Sequence, residues 1–393
     1  MKKIAFIDET AKIGGAEMNL LRILPRLKQR GWEPELVVPE KGELVDKISG
    51  LGIPCHVVPG GPFFSVSAYI GNRWKLPNPF AWAATLVSGI RWAGALREAL
   101  ARIRPDVVQT VSLLSHVFGG WAFKGSDFPV VFHLQDIVME RSGFGLYPAF
   151  LRFVVGRFAS EVVCVSPLVA RQFRGKKVPG EKIKVVLNMV DSGNSLRDDG
   201  KRREGGTPRI GTVARLTPWK GQHVAIEAAG ILKERGIEFE WVFVGDSTLG
   251  DRGYERRLRK RVEKLGLNEV RFAGWQERME NVYGSLDLLV HLPVEPEPFG
   301  LVIAEAMANG LPVVASPGGL DEIVKETGGV IVPPGDAAAA AAAVEKIVGD
   351  LSRLGGGTNR RHRRWVARKH FSPDAIIQQW TDLYDGLRAE KRG

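Results

Sequence analysis

The chain has very little cysteine and no long apolar run. Its 393 residues include two cysteines, Cys55 and Cys164, which stand far apart in short apolar stretches. This excludes a disulfide framework and the paired spacing of a zinc site, so we expect buried, inert thiols in a reducing compartment. The longest weakly polar stretch, residues 80–90, is well short of the roughly 20 residues that span a bilayer. The sequence therefore predicts no transmembrane helix.

A secretion signal is also missing from the sequence pattern. The basic start, Met1-Lys2-Lys3, is followed by the apolar run Ile4–Ile7, which ends at Asp8 and Glu9. A signal peptide needs an apolar region of about 7–15 residues. The run therefore predicts a first β-strand, and we expect a cytoplasmic protein. Its net charge of +11 favours anionic partners, such as phosphates, anionic lipids or nucleic acids, and charge alone does not choose among them.

Two halves of the chain share one pattern, in which short runs rich in Val and Ile alternate with helical stretches. The runs lie at residues 4–7, 36–38, 56–58, 107–111, 130–133 and 162–165, and again at 209–213, 241–244, 270–273, 288–292, 313–315 and 330–332. This alternation predicts parallel sheets with helices between the strands. Strands that helices bury on both faces are apolar throughout, as these are. The sequence thus predicts an α/β protein with two doubly wound, Rossmann-like domains.

A segment of mixed charge with several glycines separates the halves. Residues 191–208 include the charged cluster 197–204, and this composition is typical of a linker. We predict an N-terminal domain at 1–190, the linker at 191–208 and a C-terminal domain at 209–372. Because open α/β sheets bind ligands at the carboxyl ends of their strands, we expect the two domains to face each other across a ligand-binding cleft.

The strongest candidate for a functional site follows the run that ends near residue 292. The segment Glu297-Pro298-Phe299-Gly300-Leu301 leads into a helical stretch that contains Glu305. The prolines keep Glu297 out of the helix, while the helix start offers the backbone N–H groups of Gly300 and Leu301 to a phosphate. Carboxylates beside that phosphate accept hydrogen bonds from hydroxyl groups. A sugar diphosphate supplies both kinds of group.

Simpler roles for the two glutamates stay open. Glu297 could interact with a helix dipole and Glu305 could be a solvated helix residue. A glycosidase with paired carboxylates is the chemical rival, but eight helical residues span about 12 Å, which exceeds the roughly 5 to 9.5 Å of such pairs. Because Pro298 interrupts the helix, this spacing favours a transferase without excluding a glycosidase.

Two cations follow the first apolar run of the second half. Arg215 suits a bidentate grip on a diphosphate, and Lys220 adds a point charge. Together they would neutralise the charge on a departing nucleotide without a metal ion. Two surface cations on an ordinary loop are the alternative.

The first half contributes two weaker signals. Gly14 and Gly15 follow the first run and begin a helix, where glycines let a ligand approach the backbone, although a plain turn explains them equally well. His133 ends the run 130–133, where we expect its side chain to reach the cleft and contact substrate hydroxyls. We rank it above His116 and His291, and a satisfied core histidine is the alternative for each.

The glutamate motif, the cation loop and the Gly-Gly pair, together with their order along the chain, resemble the GT-B-type retaining glycosyltransferases of family 4. The resemblance covers essentially the whole chain. The resemblance implies that Glu297 contacts the donor sugar and Glu305 the ribose of the nucleotide. It also implies that Arg215, Lys220 and the backbone amides of Phe299 to Leu301 bind the donor diphosphate.

The resemblance implies further roles in the first half and a reaction type. Gly14 and Gly15 correspond to the loop nearest the diphosphate, and His133 to a histidine that faces the sugar. Transfer occurs with retention, without a bound metal, and the leaving phosphate helps to deprotonate the acceptor. The helix at 373–393 packs back on the first domain. One departure is the segment 187–191, which lacks the proline and glycine usual at the domain junction, so the hinge is expected to differ in shape.

Aromatic and basic residues are interleaved at residues 62–92 and 144–158. Such mixtures suit a membrane interface or a lipid-bearing acceptor, and core packing is the alternative. We therefore expect the first domain to make peripheral contact with an anionic membrane, at the inner face of the cytoplasmic membrane. The basic runs 256–261 and 360–365 come without a nucleic-acid recognition motif, so we expect solvated helix faces and no nucleic-acid partner.

The leading hypothesis is an enzyme that moves a hexose-type sugar from a nucleotide-sugar donor to a hydroxyl of a sugar or glycolipid acceptor. It needs no cofactor and no metal. A non-catalytic nucleotide- or membrane-binding protein of the same fold and a sugar-nucleotide epimerase are the alternatives. The joint presence of Glu297, Arg215, Lys220 and Glu305 favours the transferase, because each would be free to drift in a scaffold.

Overall fold

The computed structural model describes residues 2–60, 67–70, 74–77, 79–123, 125–138, 146–176, 178–191, 206–247, 252–351 and 357–392. Most of the linker predicted at 191–208 lies outside these residues, as do parts of the two aromatic stretches. The chain divides into two compact units. The first unit comprises Met1–Leu187 and Asp374–Gly393, and the second comprises Asn188–Pro373.

The first unit is built around a parallel sheet. Its strands are β1 (Lys2–Ile7), β2 (Trp32–Val38) and β3 (Cys55–Val57), then β6 (Val107–Thr110), β7 (Val130–Leu134), β8 (Glu161–Cys164) and β9 (Ile183–Val185). They lie in the order β3-β2-β1-β6-β7-β8-β9. A separate antiparallel hairpin joins β4 (Ser67–Ile70) to β5 (Trp74–Pro77).

Helices connect the strands of this sheet. They are α1 (Gly15–Gln29), α2 (Glu43–Gly50), α3 (Pro79–Ile103), α4 (Leu113–Ala122), α5 (Leu146–Phe158) and α6 (Pro167–Arg171), with a short 3-10 helix at Gly180–Lys182. Right-handed helical crossovers are what parallel strands require. Strand residues such as Ile4, Phe6 and Val107 are fully buried, as expected of a sheet that helices cover on both faces.

The second unit repeats this plan. Its strands are β10 (Arg209–Val213), β11 (Glu240–Val244), β12 (Val270–Gly274), β13 (Leu288–His291), β14 (Val313–Ala315) and β15 (Val330–Ile331), all parallel, in the order β12-β11-β10-β13-β14-β15. Its helices are α7 (Gln222–Glu234), α8 (Arg252–Lys264), α9 (Met279–Ser285), α10 (Leu301–Ala308), α11 (Asp321–Glu326), α12 (Ala337–Gly349) and α13 (Gly357–Phe371), with a 3-10 helix at Pro218–Lys220.

Both sheets change direction beside their first strand. In the first unit the chain fills one side of β1 with β2 and β3, and then crosses to β6 on the other side. In the second unit β10 lies between β11 and β13 in the same way. The carboxyl ends of the two strands at such a switch point open a crevice in which α/β proteins bind ligands. The loops after β1, β6, β10 and β13 are therefore the expected ligand-binding loops.

The last helix, α14 (Pro373–Arg392), packs on the first sheet. The hydroxyl of Tyr384 donates a 2.6 Å hydrogen bond to Oε1 of Gln109 in β6, and Nε of Arg388 lies 3.0 Å from Oδ1 of Asp106. Trp380 and Tyr384 are buried at this contact. The final helix thus belongs to the first unit, although the second unit precedes it in the chain.

The predicted α/β class with two parallel-sheet units is confirmed. The prediction of two buried thiols is only half right, because Cys164 is buried while Cys55 is partly exposed; both are free. In the part of the chain that the structure describes, no helix has the length and apolarity to cross a bilayer.

Candidate functional site

Two loops of the second unit meet at the switch point between β10 and β13. The backbone N–H of Val294 donates a 2.8 Å hydrogen bond to the carbonyl of Trp219 and so joins them. Between them lies Gly221, whose φ is 70° and where a Cβ atom would lie 1.7 Å from the carbonyl oxygen of Leu292. Only glycine allows this conformation and this approach. Gly221 therefore brings Lys220 close to the end of β13.

The loops hold a buried carboxylate between two basic side chains. Nζ of Lys220 donates to Oε2 of Glu297 at 2.5 Å, and Nε2 of His291 lies 3.1 Å from the same oxygen. The side chains of Lys220, Glu297 and His291 are 14%, 12% and 1% exposed. Buried charges persist when they are paired and hydrogen-bonded. These three residues form one charge-balanced group, which we call the buried triad.

The surroundings of the buried triad set its protonation. Burial alone would raise the pKa of Glu297, but the hydrogen bond from His291 and the charge of Lys220 outweigh it and lower that pKa to about 2. Burial lowers the pKa of His291. At neutral pH the carboxylate is therefore ionised, while the imidazole is neutral and donates through Nε2. Among the described residues, Nδ1 of His291 has no hydrogen-bond partner.

The buried triad keeps hydrogen-bonding capacity for a ligand. Lys220 has three N–H donors, and its bond to Glu297 uses one of them. Its ammonium also lies 3.9 Å from the ring centroid of Trp219, a cation–π contact that holds the charge in place. Within the described chain, both hydrogen bonds to the carboxylate of Glu297 end on Oε2. Oε1 is therefore left to accept a hydrogen bond from a hydroxyl group.

The loop that carries Glu297 ends at the start of α10. The backbone of Glu297 bridges to the loop after β14, where the N–H of Gly319 donates to its carbonyl at 2.9 Å. Gly300 has a φ of 94°, which favours glycine, and it precedes Leu301, the first residue of α10. The first N–H groups of a helix lack intrahelical acceptors and attract anions. A negative charge next to the buried triad would therefore meet both Lys220 and this helix start.

The other predicted residues of the second unit surround this loop. Phe299 is buried, and its ring meets that of Phe371 edge to face, with 5.9 Å between centroids. Glu305 lies one turn into α10 and accepts a 2.8 Å hydrogen bond from the hydroxyl of Tyr283 through Oε2. Arg215 has an exposed side chain, while its carbonyl accepts a 2.7 Å bond from the side chain of Gln222.

Arg215 acts on Lys220 through its charge. The pKa of Lys220 is lowered chiefly by burial, Glu297 opposes this effect, and Arg215 adds to it. A second cation so close makes the loop after β10 a site where anionic charge is stabilised.

The two glycines predicted to approach a phosphate belong to the first unit. Gly14 precedes α1, and its N–H donates a 2.7 Å hydrogen bond to Oε2 of Glu17. Gly15 is the first residue of α1. A phosphate at this helix start would have to displace the carboxylate of Glu17 from the amide of Gly14.

His133 does not reach open space, in contrast to our expectation for a histidine at a strand end. It is 1% exposed, because its ring packs edge-on against Trp380 of α14 with 4.9 Å between centroids. Its Nδ1 lies 3.3 Å from Nε2 of Gln109, and burial lowers its pKa to about 3. The role in sugar binding that the resemblance implies for His133 stays a prediction.

Acidic side chains lie at the switch point of the first unit. The backbone N–H of Glu9 donates to Oγ of Ser112 at 2.9 Å, and Oε2 of Glu9 accepts a short hydrogen bond from the N–H of Leu114. Burial, followed by the charge of Glu17, raises the pKa of Asp8 to about 8, although hydrogen bonds with Ser112 and the Glu9 backbone act in the opposite direction. Burial also raises the pKa of Glu9.

A cavity of about 230 Å³ opens beside these acids, at the carboxyl ends of β6 and β7. Its wall is largely apolar, and His116, Gln135 and Asp136 supply the polar groups. Nδ1 of His116 lies 2.7 Å from the hydroxyl of Thr110, and burial lowers the pKa of this histidine to about 3. A largely apolar wall with a few polar groups, one of them the carboxyl group of Asp136, suits a polar ligand that carries no negative charge.

Two contacting residues of the second-unit site, Trp219 and Tyr283, were not predicted, and a third, His291, was ranked below His133. His291, Trp219 and Tyr283 contact Glu297, Lys220 and Glu305 respectively. For His291 a signal was present, because it ends a buried strand six residues before Glu297, the same kind of position that favoured His133. Among the described residues, no group of three His, Cys, Asp or Glu side chains could hold a metal ion.

Two family descriptions match most of the chain between them. The family described as glycosyl transferases group 1 matches residues 197–361, and the glycosyl transferase 4-like domain matches residues 14–189. The first match contains the buried triad and α10, and the second contains Gly14, Gly15 and His133.

Curated relatives carry related descriptions. The lipopolysaccharide core biosynthesis glycosyltransferase LpsE of Rhizobium meliloti is 31% identical over 255 residues, which are 64% of this chain and 69% of LpsE. The putative colanic acid biosynthesis glycosyltransferase WcaL of Escherichia coli is 34% identical over 180 residues, which are 43% of each chain.

A solved structure matches almost the whole chain. Anabaena Alr3699/HepE in complex with UDP-glucose superposes with a TM-score of 0.80 at 26% identity, covering 98% of this chain and 100% of that one. The same protein in complex with UDP and glucose gives a TM-score of 0.79 at 25% identity. These structures have the GT-B fold, and this chain shares it.

Proposed function

We propose, from the premise that this chain belongs to the group 1 glycosyl transferases, that it transfers a hexose from a nucleotide sugar to an acceptor hydroxyl with retention of configuration and without a metal ion. The observation that carries the proposal is the buried triad at the switch point of the second sheet. It places a cation, an ionised carboxylate and a helix start within one loop cluster.

The donor occupies this cluster with its diphosphate against the cations. Lys220 still has two N–H donors, Arg215 is exposed nearby in the chain, and the first amides of α10 follow directly after the loop that carries Glu297. Oε1 of Glu297 accepts from a hydroxyl of the hexose. Glu305, one turn along α10, accepts from the ribose. A uridine diphosphate hexose is the first donor to test, since the similar Anabaena protein was solved with UDP-glucose.

The reaction requires charge stabilisation rather than a protein nucleophile. The bond between the anomeric carbon and the diphosphate oxygen breaks, and its electron pair leaves with the nucleoside diphosphate. The acceptor oxygen bonds to the anomeric carbon on the same face, and its proton passes to the leaving phosphate. Lys220, Arg215 and the helix start stabilise the departing charge, which is the largest contribution in many enzymes. Two cations in place of a metal support metal independence.

The acceptor binds to the first unit. The cavity beside β6 and β7 has an apolar wall with His116, Gln135 and Asp136, which suits one uncharged sugar ring. The relatives described for lipopolysaccharide core and colanic acid biosynthesis support a glycolipid or a polysaccharide intermediate as acceptor, met at the inner face of the cytoplasmic membrane. The roles of Gly14, Gly15 and His133 stay predictions.

The test is a transfer assay with the purified chain. Uridine-, guanosine- and adenosine-diphosphate hexoses are offered together with a lipid-linked saccharide, with and without EDTA. We expect one donor to yield a product heavier by one hexose, with the anomeric configuration of the donor and a rate that EDTA does not change.

Each part of the proposal has its own contrary result. Conversion of the donor to an epimer without an acceptor would make the chain an epimerase, and binding without turnover of any donor would make it a scaffold. An inverted product would exclude retention. Loss of the rate in EDTA, restored by a divalent cation, would exclude metal independence.

A further inference from the structure

Helix α3 of the first unit exposes apolar side chains over its N-terminal half. Leu86, Val87 and Ile90 are 53%, 49% and 43% exposed, and Phe80 near the helix start is 86% exposed. These residues follow the spacing of one helix face. Scattered surface apolar residues are normal, but an apolar stripe on a surface helix indicates an interaction surface.

The neighbouring helices α4 and α5 continue this exposed stripe. Trp121 of α4 is 51% exposed, and Phe150 and Phe153 of α5 are 50% and 52% exposed. Phe150, Phe153 and the exposed Arg157 lie at spacings of three and four residues, which places them on one side of α5. Aromatic residues with a basic residue at one end are typical of helices that lie in a membrane interface.

The three helices pack side by side. A Cβ atom on Gly89 of α3 would lie 2.0 Å from the ring of Phe118 of α4, and one on Gly120 of α4 would lie 3.2 Å from the side chain of Phe158 of α5. In α4, Phe118 contacts α3 and Gly120 contacts α5. Because successive residues of a helix are 100° apart, Trp121 lies on the outer side of α4, between α3 and α5. The exposed residues thus form one surface, which we call the apolar face of α3–α5.

The charge on α3, α4 and α5 is mainly positive. Across these helices the sequence has five arginines, of which Arg152 is buried, and a single acidic residue, Glu98. Arg91 follows Ile90 directly, Arg157 lies one turn after Phe153, and both are exposed. An apolar centre with arginines at its edge is complementary to a bilayer with anionic headgroups. A face that binds a protein core would not need this charge bias.

We propose that the apolar face of α3–α5 docks the protein on an anionic lipid bilayer. Trp121, Phe150 and Phe153 enter the headgroup layer, while Arg91 and Arg157 pair with lipid phosphates. Since the proposal rests on the surface of α3–α5 alone, it stands independently of the donor and the acceptor.

The second unit supplies a matched control. Trp275 and Trp365 are 66% and 58% exposed, which is more than Trp121. The ring of Trp365 has Lys369 over it, with 5.6 Å between Nζ and the centroid. Both tryptophans belong to the second unit, and neither lies on α3, α4 or α5. Removing them tests whether any exposed aromatic side chain would produce membrane binding.

The first experiment measures binding to vesicles by sedimentation at low salt. The full chain, Trp121→Ser/Phe153→Ser and the control Trp275→Ser/Trp365→Ser are titrated with vesicles of phosphatidylglycerol and phosphatidylcholine. We expect the apolar-face variant to bind at least about tenfold more weakly, because it loses two aromatic side chains that enter the headgroup layer of the membrane. The control should bind within about twofold of the unchanged chain.

The second experiment tests the charge and the insertion. Arg91→Gln and Arg157→Gln should each weaken binding to phosphatidylglycerol vesicles about fivefold, and vesicles of pure phosphatidylcholine should bind all chains weakly. Brominated lipids should quench the tryptophan fluorescence of the unchanged chain more than that of Trp121→Phe.

Two results would overturn the proposal. One is equal vesicle binding by the full chain and the apolar-face variant, with equal thermal unfolding of both. The other is a dimer in solution that Trp121→Ser/Phe153→Ser makes monomeric while no chain binds vesicles, which would assign the face to a second copy of this chain.

Discussion

The two sheets have equivalent switch points, but the charged side chains at these points differ between the two units. In the second unit, the loops after β10 and β13 bury a carboxylate with a cation and an imidazole, namely Glu297, Lys220 and His291. In the first unit, the loop after β1 brings Asp8 and Glu9 to the same kind of position, and acids are the charged groups that act on them.

The pKa values follow from this difference. Both Asp8 and Glu297 are buried, and burial disfavours the charged form of each. Lys220 and His291 reverse that effect for Glu297 and lower its pKa to about 2. Glu17 and Glu9 add to it for Asp8, whose pKa rises to about 8. Topology thus sets where side chains meet, and the neighbouring charges decide whether the acid is ionised.

Each switch point therefore suits a different ligand. A phosphate that reaches the second-unit site meets Lys220, Arg215 and the start of α10. At the first-unit site it would meet Asp8, Glu9 and the Glu17 carboxylate that already occupies the amide of Gly14. This difference supports our proposal that the anionic part of the donor binds to the second unit and the uncharged hydroxyl groups of the acceptor bind to the first.

Removing the cation of the buried triad should have the largest effect. In Lys220→Met, Glu297 keeps a buried charge without its counter-ion, which costs about 3 kcal/mol of unfolding free energy. Transfer should also fall by about 10² to 10³ in kcat, the usual effect of losing a group that stabilises transition-state charge. Urea denaturation and steady-state kinetics measure the two effects.

The matched control for Lys220→Met is the double variant Lys220→Met/Glu297→Gln. It leaves no unpaired charge, so it should recover most of the lost stability while remaining inactive. If the double variant is as unstable as the sum of the two single variants, the two side chains do not form the pair on which the comparison rests.

Asp8, the buried acid of the first unit, should make stability depend on pH in the direction opposite to Glu297. A carboxyl whose pKa is raised in the folded chain takes up a proton on folding, so its stabilising effect is complete below its unfolded pKa and is lost as the pH rises toward about 8. Asp8→Asn removes this dependence. The stability of the variant relative to the unchanged chain should thus increase by about 3 kcal/mol between pH 6 and pH 9.

Chemical denaturation across this pH range measures the effect, and Asp127→Asn, at an exposed position, is the control. Glu297 has the reverse sign, since its stabilising effect is present above its ordinary pKa and is lost as the pH falls toward about 2. A stability difference for Asp8→Asn that does not change with pH would show that Asp8 is ionised in the folded chain, like Glu297.

Much of the fold could be predicted, because apolar runs identify strands that helices bury on both faces. The strands that went unnoticed carry a different signal. β9 (Ile183–Val185) is three residues long and lies at a sheet edge with Lys184 exposed, and β5 (Trp74–Pro77) contains a lysine and a proline. Neither has the continuous apolar pattern of a central strand.

The sequence predicts which loops hold the residues of the second-unit site, but it does not predict which of those residues contact each other. Lys220 and Glu297 are 77 positions apart, and they meet because Gly221 lets one loop lie on the carbonyl of Leu292. The ranking of histidines failed to single out His291 for the same reason. Both His133 and His291 are found at strand ends, and only the neighbouring elements, Trp380 for one and Glu297 for the other, determine their surroundings.

His291 and His133 are equally buried in their two units, but their replacement should have different effects. His291→Ala removes one of two donors to Glu297 and should lower kcat about tenfold, while His291→Gln, which keeps an N–H donor, should recover part of the rate. His133→Ala leaves a cavity against Trp380 and should lower the unfolding free energy by about 2 kcal/mol.

The readouts separate positioning from packing. For His291, a shift of the acidic limb of the kcat profile toward higher pH should accompany the lower rate, because the hydrogen bond that lowers the pKa of Glu297 is lost. Equal rates for His291→Ala and His291→Gln would mean that the imidazole only fills space. A tenfold fall in kcat for His133→Ala at unchanged stability would support the role that the resemblance implies for it.

The smallest expected effect concerns Glu305, which accepts a hydrogen bond from a neutral hydroxyl. Tyr283 donates to Oε2 at 2.8 Å and so orients the carboxylate on α10. If Glu305 accepts the ribose hydroxyls, Glu305→Gln should weaken binding of a nucleoside diphosphate about fivefold and Tyr283→Phe about threefold, in line with single hydrogen bonds. Calorimetry with the matching 2′,3′-dideoxynucleotide provides the control, because a ligand without these hydroxyls should bind all three chains alike. A fivefold difference that persists with the dideoxy ligand would place the effect in the packing of α9 on α10, since the ribose hydroxyls would then have no part in it.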